Sequence, residues 1–393
     1  MQDSGTPAHT PRNAKAWIII AGFSALWLVL GWHVRDQAQS HDFLSLYSGA
    51  YMTSHGLAAH LYDPAAQWAV EKKLAPANTE LVPFIRPPFY ALLLSPLGRL
   101  PFHTAFVCWT LLQIGVLMAC LAWAWRRFGT VALMLGCMSV PAAIGIAHGQ
   151  DAVLFLAVVI ASYTLTENGK EWSGGAALGL LLVKFHLTPL WIIAMILQRR
   201  WKMLAGFAAT GAAAAGISLA MVGAGGVRAY AALLQNRDLE WLSPSPEFMI
   251  SLQGLAANLG ITSVVAYAMG AAAIVALFLM GLQHAPLWRA YAVTTAASLL
   301  LVPHVYGYDA AMLLPGLWLA MFRADLLSTR IPALWLCTPF PFVFALAGRP
   351  WAAASSLSVL AMLAALAGEA HRLQGRQDVA NDRGEDGGRA FAT

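Results

Sequence analysis

The chain has 393 residues, of which 59% are hydrophobic and only 11% charged, and its mean hydropathy is +0.62. Soluble domains carry about 25% charged residues, so a soluble globular enzyme is excluded and a polytopic membrane protein is predicted, with helical spans because backbone groups in lipid must pair within their own segment. The net charge of +5 does not indicate a nucleic-acid partner, because the basic residues fall in short clusters between apolar segments, at Arg126-Arg127, Arg199-Arg200-Trp201-Lys202 and Arg372 to Arg376, the pattern of a topology signal.

Roughly ten or eleven segments are apolar enough to cross or re-enter a bilayer, a full crossing needing about 20 residues. Residues 1–15, with Arg12 and Lys15, read as a cytoplasmic segment before a first helix at about 16–34. Ala38-Gln39-Ser40 is a faint signal-peptidase pattern, but polar His33, Arg35 and Asp36 separate it from a long apolar run, which favours an uncleaved anchor. With the Lys and Arg clusters placed inside, residues 35–90 form a first outer (periplasmic) loop, too long for a plain connector. Within it, Phe43, Leu46, Tyr47, Ala50 and Tyr51 follow helical spacing, as do Trp68, Val70 and Leu74, so short interfacial helices are expected. Leu61-Tyr62-Asp63-Pro64 reads as a turn and helix start.

An apolar piece at 88–98, a span at about 103–125 ending inside at Arg126-Arg127, an outward span at 129–147 and a return through 152–166 follow. Segment 173–198 resembles one crossing, yet both flanks carry inside signals. A break at Lys184-Phe185-His186-Leu187-Thr188-Pro189 resolves the conflict, two short helices forming a V with Lys184 and His186 near its apex, as is tolerated where helices line a cavity. Spans at 202–222, 262–282, 288–303, 309–322, 331–347 and 351–368 complete a transmembrane domain of residues 16–368. A second outer loop is expected at about 223–260, and residues 369–393 read as a disordered cytoplasmic tail. No fixed-period repeat and no second broken segment are evident. Trp241 and Trp288 read as interfacial belt residues, and Cys108, Cys120, Cys137 and Cys337 as buried small hydrophobes without disulfide or zinc spacing.

Under this topology Asp42, Arg86, His148, Gln150, Asp151, Lys184, His186, His304 and Asp309 all reach one face, and ionisable groups in such places are functional candidates. Asp42 suits a general base or a helix N-cap. Lys184 and His186 suit an anionic leaving group such as phosphate, or a snorkelling lysine and a hydrogen-bonded histidine. Arg86, before Pro87-Pro88, suits phosphate binding or an interfacial anchor. His304, Tyr308 and Asp309 sit at a helix-to-loop junction where aromatics stack on sugars or anchor the interface. Gln150 and Asp151 bind substrate, or make a turn and helix cap. There is no Walker loop, dinucleotide fingerprint, His-Glu-x-x-His or serine-nucleophile elbow. Asp-x-Asp, which often binds the metal of nucleotide-sugar enzymes, is also missing, so no metal or other cofactor is expected, although Asp42, Asp151 and Asp309 could meet.

In order, Asp42-Phe43, Leu61-Tyr62-Asp63, Pro87-Pro88 with Leu92-Leu93-Leu94-Ser95-Pro96-Leu97, His148-Gly149-Gln150, Gly179 with Lys184 and Pro189, Arg199-Arg200-Trp201, Ser251-Leu252-Gln253-Gly254 and Tyr308-Asp309 resemble the membrane glycosyltransferases of the GT-C class, within them the polyprenyl-phosphate-mannose-dependent glycosyltransferase family 87. The resemblance implies an all-α GT-C-type fold, a polyprenyl-phosphate-sugar donor, and an Asp of the first outer loop as base, which falls on Asp42. Arg86 stands where that family more often has an aromatic. The expectation is inverting transfer of one sugar, with mannose the expected one, to a lipid or glycan hydroxyl at the periplasmic face of a bacterial inner membrane. A secondary transporter or flippase of lipid-linked sugars is the alternative, distinguished by paired broken segments.

Overall fold

The computed structural model describes residues 42–76, 79–235 and 245–390, together with helical residues 17–18, 20–26 and 29 of the first apolar run. The helices are α1 Asp42–Ser54, α2 Pro64–Leu74, α3 Pro88–Leu94, α4 Phe102–Phe128, α5 Thr130–Cys137, α6 Val140–Ala147, α7 Ala152–Glu167, α8 Glu171–Leu178, α9 Pro189–Leu197, α10 Trp201–Gln235, α11 Leu252–Leu259, α12 Val264–Leu282, α13 Leu287–Leu301, α14 Leu314–Arg323, α15 Leu327–Cys337, α16 Phe340–Val343 and α17 Ala353–Ala390, with 3-10 turns between several of them. The protein is an all-α polytopic membrane protein with several long apolar helices.

Among the described residues, four helices are long and apolar enough to cross a membrane: α4, α10, α12 and the Ala353–Gly375 part of α17. Two bent pairs raise this to six, α5 with α6 at 46° and α15 with Phe340–Ala347 at 54°. The expected ten or eleven spans are therefore not matched by helices of crossing length. Proline stands at both bends: Pro141 follows the first, and Pro339 lies in the second with Pro341 just after it, removing backbone donors near each break. The segment at 129–147 is accordingly two helices, and 173–198 is not the one broken segment. The expected span at 288–303 is α13, whose side chains from Trp288 to Leu300 are all buried, Arg289, Thr294, Thr295 and Ser298 included, so it is a core helix. Trp288 is thus a core residue, and Trp241 lies outside the described residues. All four cysteines are free; Cys120 and Cys337 are buried, whereas Cys108 is exposed on α4.

The V at 173–198 is present. Lys184 has φ −112° and ψ 64°, which breaks the helical path between α8 and α9. Glu171 at the start of α8 and Arg200 beyond the end of α9 form an ion pair of 2.8 Å, so both arms begin and end at one side of the bundle. On that side Glu167, at the end of α7, accepts from Arg127 at the end of α4 and from Arg323 at the end of α14. The opposite end of α7, some 24 Å away at 1.5 Å per residue, carries Asp151.

Two boundaries differ from expectation. α10 runs past 222 through a kink at Gly223, φ +65°, so the beginning of the expected 223–260 loop is helix. The cause is packing, since the Tyr230 ring lies 4.6 Å from that of Tyr62, tilted by 33°, and its hydroxyl donates to the Ile85 carbonyl at 3.2 Å. At the other end α17 continues past 368 to Ala390, where a disordered tail was expected. Glu369 is buried and accepts from the Asp325 amide at 3.1 Å, which ties the helix to the start of α15.

Candidate active site

The first loop is a built platform. Asp63 caps α2 by accepting from the amides of Ala65 and Ala66, with Pro64 at the first helical position, as the sequence pattern requires. Residues 81–86 then run without regular secondary structure and are held along their length. Pro83 carbonyl accepts from Ser45 Oγ at 2.7 Å, Phe84 amide donates to Gln67 Oε1 at 2.8 Å, Val82 amide donates to Glu71 Oε2 at 2.9 Å, and Arg86 carbonyl accepts from Tyr62 hydroxyl at 2.6 Å. Ser45, Gln67 and Glu71 carried no assignment from sequence, and Tyr62 only a place in a turn and in the family resemblance. Burial pushes the Glu71 carboxyl up to about 7, partly offset by the Val82 amide.

This clamp delivers Arg86 onto Asp151, Nη2 to Oδ1 3.0 Å. Asp151 occupies the N-cap position of α7, yet its side chain makes no capping bond and turns instead to Arg86 and to Lys184, 3.4 Å away. Lys184 also donates to Asp309 Oδ1, and Asp309 Oδ2 accepts from the Tyr306 amide at 3.2 Å. The cluster contains two cations and two carboxylates in alternation, and Lys184, Asp151 and Asp309 are each at most 4% exposed. Burial alone would push the Asp151 carboxyl up; the charges of Arg86 and then Lys184 reverse this and hold it below the usual carboxylate range. Lys184 further lies 5.3 Å from the Phe155 ring and 5.4 Å from the Tyr308 ring.

Asp42 stands at the start of α1 with its Oδ2 3.0 Å from Nδ1 of His148, and both are partly exposed, at 28% and 40%. Since an ionised carboxylate only accepts, the ring N–H donates. Gly149 makes this approach possible: its φ is +69°, and a Cβ there would lie 2.7 Å from Phe43 Cβ. Its carbonyl is fixed by Trp109 Nε1 at 2.8 Å. His148 had been placed on this face by its sequence position but without a role; the adjoining glycine was the available signal.

Pair and cluster share one site, because Tyr306 and Tyr308 lie within electrostatic range of both Asp42 and Asp309. His186 and His304 are within range of Lys184 and Arg86. Burial, with Lys184 and Arg86 acting the same way against Asp309, drives His304 down to about 4, so it is neutral near pH 7. Gln150 is half-buried beside Asp151, and its backbone amide donates to the Gly145 carbonyl at 2.8 Å. Among the described residues no group of three or more His, Cys, Asp or Glu is placed to hold a metal ion.

The family model for glycosyltransferase family 87 matches residues 84–303, more than half of the chain. The chain belongs to glycosyltransferase family 87. It is therefore a membrane glycosyltransferase, acting between a sugar donor and an acceptor. Comparison with curated proteins and with solved structures gave no match. The family 87 match takes in Arg86, His148, Asp151, Lys184 and His186. Asp42, Tyr308 and Asp309 fall outside it and are joined to it by the His148 and Lys184 contacts.

Proposed function

We propose that the protein is an inverting transferase of the GT-C class, moving one sugar, mannose by preference, from a polyprenyl phosphate to a lipid or glycan hydroxyl at the outer (periplasmic) face of a bacterial inner membrane. The observation that carries this reading is the Asp42–His148 pair, a partly exposed carboxylate oriented by a histidine and set beside a buried ionic cluster. His148 holds one carboxylate oxygen and leaves the other to take the proton of the acceptor hydroxyl. The acceptor oxygen attacks the anomeric carbon as the bond to the donor phosphate oxygen breaks. Positive charge grows on the sugar, as in glycoside cleavage, and the electron pair leaves with the polyprenyl phosphate.

The phosphate-facing groups are Arg86, 11% exposed, with His186 and His304. Lys184 serves from behind: buried and shared between two carboxylates, it sets the field and fixes Arg86 through Asp151 and the Tyr306–Tyr308 turn through Asp309. In this reading Lys184 positions these groups, where the sequence suggested direct contact with the phosphate. His304, being neutral, acts as a hydrogen-bond donor rather than a cation. Tyr308 and Gln150 line the sugar side, with preorganised electrostatics supplying most of the acceleration.

The test is transfer of radiolabelled mannose from polyprenyl-phosphate-mannose to membrane lipids, wild type against Asp42→Asn at matched expression in a deletion background. Transfer that the substitution abolishes supports both donor class and base. Full activity in the variant removes Asp42 from the mechanism, and absence of transfer by the wild type counts against mannose, the membrane-lipid acceptor or transfer itself, the last in favour of a transporter.

A further inference from the structure

At the end of the bundle opposite the Asp42 site, α4 and α7 leave a cleft of about 610 Å³ between them, lined by Ala119, Ala122, Trp123, Arg126, Arg127 and Thr164. The five α4 residues follow the i, i+3, i+4, i+7, i+8 spacing of a single helix face. The floor is fixed, because Trp123 Nε1 donates to Thr164 Oγ1 at 3.0 Å. The small side chains of Ala119 and Ala122 open its membrane-side half, and two arginines close the other.

The arginines differ. Arg127 stacks over Trp123 at 5.4 Å and Tyr163 at 5.6 Å and donates to Glu167, whose carboxylate also takes Arg323 at 3.0 Å and the Tyr163 hydroxyl at 2.9 Å. Arg126 is exposed and, among the described residues, makes no hydrogen bond or ion pair. Two guanidinium groups thus share the Glu167 carboxylate while Arg126 lines the cleft without a counter-charge among the described residues, an excess of positive charge at the mouth of an aromatic-floored cleft.

The α4 stripe that leads into the cleft is apolar and outward-facing, Leu111 and Met118 being 62% and 60% exposed at helical spacing from Ala122 and Arg126. A soluble phosphate has no use for such a stripe, whereas an acyl chain does, and basic pockets between transmembrane helices suit anionic headgroups. We propose that this cleft binds an anionic phospholipid, its phosphate on Arg126 at the rim, its glycerol region over Trp123 and one acyl chain along Ala119, Met118 and Leu111. The bound lipid would brace α4 against α7, through the same residues that join them to α14. This site is separate from the reaction site and does not depend on the sugar or donor proposed for it.

The experiment is thermal unfolding of the full-length protein in nanodiscs of phosphatidylcholine alone or mixed with phosphatidylglycerol, and in phosphatidylcholine with inorganic phosphate. A ligand that binds only the folded state raises the midpoint. Phosphatidylglycerol is expected to raise the wild-type Tm by at least about 3 °C. Arg126→Gln should lose most of that rise, and so should Ala119→Trp, which fills the cleft but leaves every charge in place; both should keep the wild-type Tm in phosphatidylcholine, which controls for folding. No rise in the wild type, an equal rise in Ala119→Trp, or the same rise with inorganic phosphate would each overturn the proposal.

Discussion

His148 meets Asp42 at 3.0 Å across 106 positions of the chain, and through that contact the first loop joins the helical core. In the proposed mechanism this bond directs Asp42 and leaves its second oxygen for the acceptor hydroxyl. Asp42→Asn should lower transfer 100-fold or more, the usual scale of general-base loss. His148→Ala should lower it about tenfold, and His148→Asn, whose amide can stand where Nδ1–H stands, should recover much of the loss. Equal transfer by the Ala and Asn variants would show that the contact does not orient the base.

The buried cluster predicts a stability defect that is repaired by a second substitution. Lys184→Met leaves Asp151 and Asp309 facing each other without their shared cation, and removal of one member of a buried pair costs about 3–5 kcal/mol. Lys184→Met combined with Asp309→Asn leaves Asp151 still paired with Arg86, so the double variant should unfold later than the single. A double-mutant cycle by thermal unfolding measures the coupling. Additive losses would mean that the two side chains do not act together.

Two groups outside the spans give opposite pH slopes. Glu71 is raised to about 7, so the folded state holds a proton that the unfolded chain releases; its contribution is complete below the usual carboxylate range and is lost as pH rises towards 7. His304 is lowered to about 4, so the folded state refuses a proton that the unfolded chain takes; its contribution is present above about 6.5 and is lost as pH falls towards 4. Between about pH 4.5 and 6.5 the two act in opposite directions. Relative to the wild type, Glu71→Gln should make stability rise more steeply with pH in that window, and His304→Gln should make it rise less or fall. Parallel profiles for the two variants would count against both protonation states.

The sequence made legible what depends on local pattern. The Asp63-Pro64 helix start, the helical spacing of α1 and α2 and the break before Pro189 all rest on residues within one turn of each other. The gathering of polar residues at one end was also legible, because alternation of charge clusters carries over from one helix to the next. Partnerships were not. Whether Asp151 caps α7 or turns away to Arg86 depends on a clamp made by Ser45, Tyr62, Gln67 and Glu71, and whether Lys184 is free or shared depends on Asp309, 125 positions later. The extension of α10 past Gly223 was hidden for the same reason, its cause being the contact of Tyr230 with the first loop.

Gly149 offers the sharpest geometric test of the site. Alanine there meets two penalties at once. A positive φ costs an L residue about 1–2 kcal/mol, and the new Cβ would lie 2.7 Å from Phe43 Cβ, an overlap that Phe43→Ala cannot relieve because the offending atom remains. The strain is met by moving α1 away from the turn that carries His148, and Asp42 moves with it. Gly149→Ala should therefore keep a folded protein with a lowered Tm while transfer falls tenfold or more, the loss appearing in kcat because a displaced base harms the chemical step rather than donor binding. A variant with lowered Tm and unchanged kcat would mean that Asp42 does not need its place beside His148.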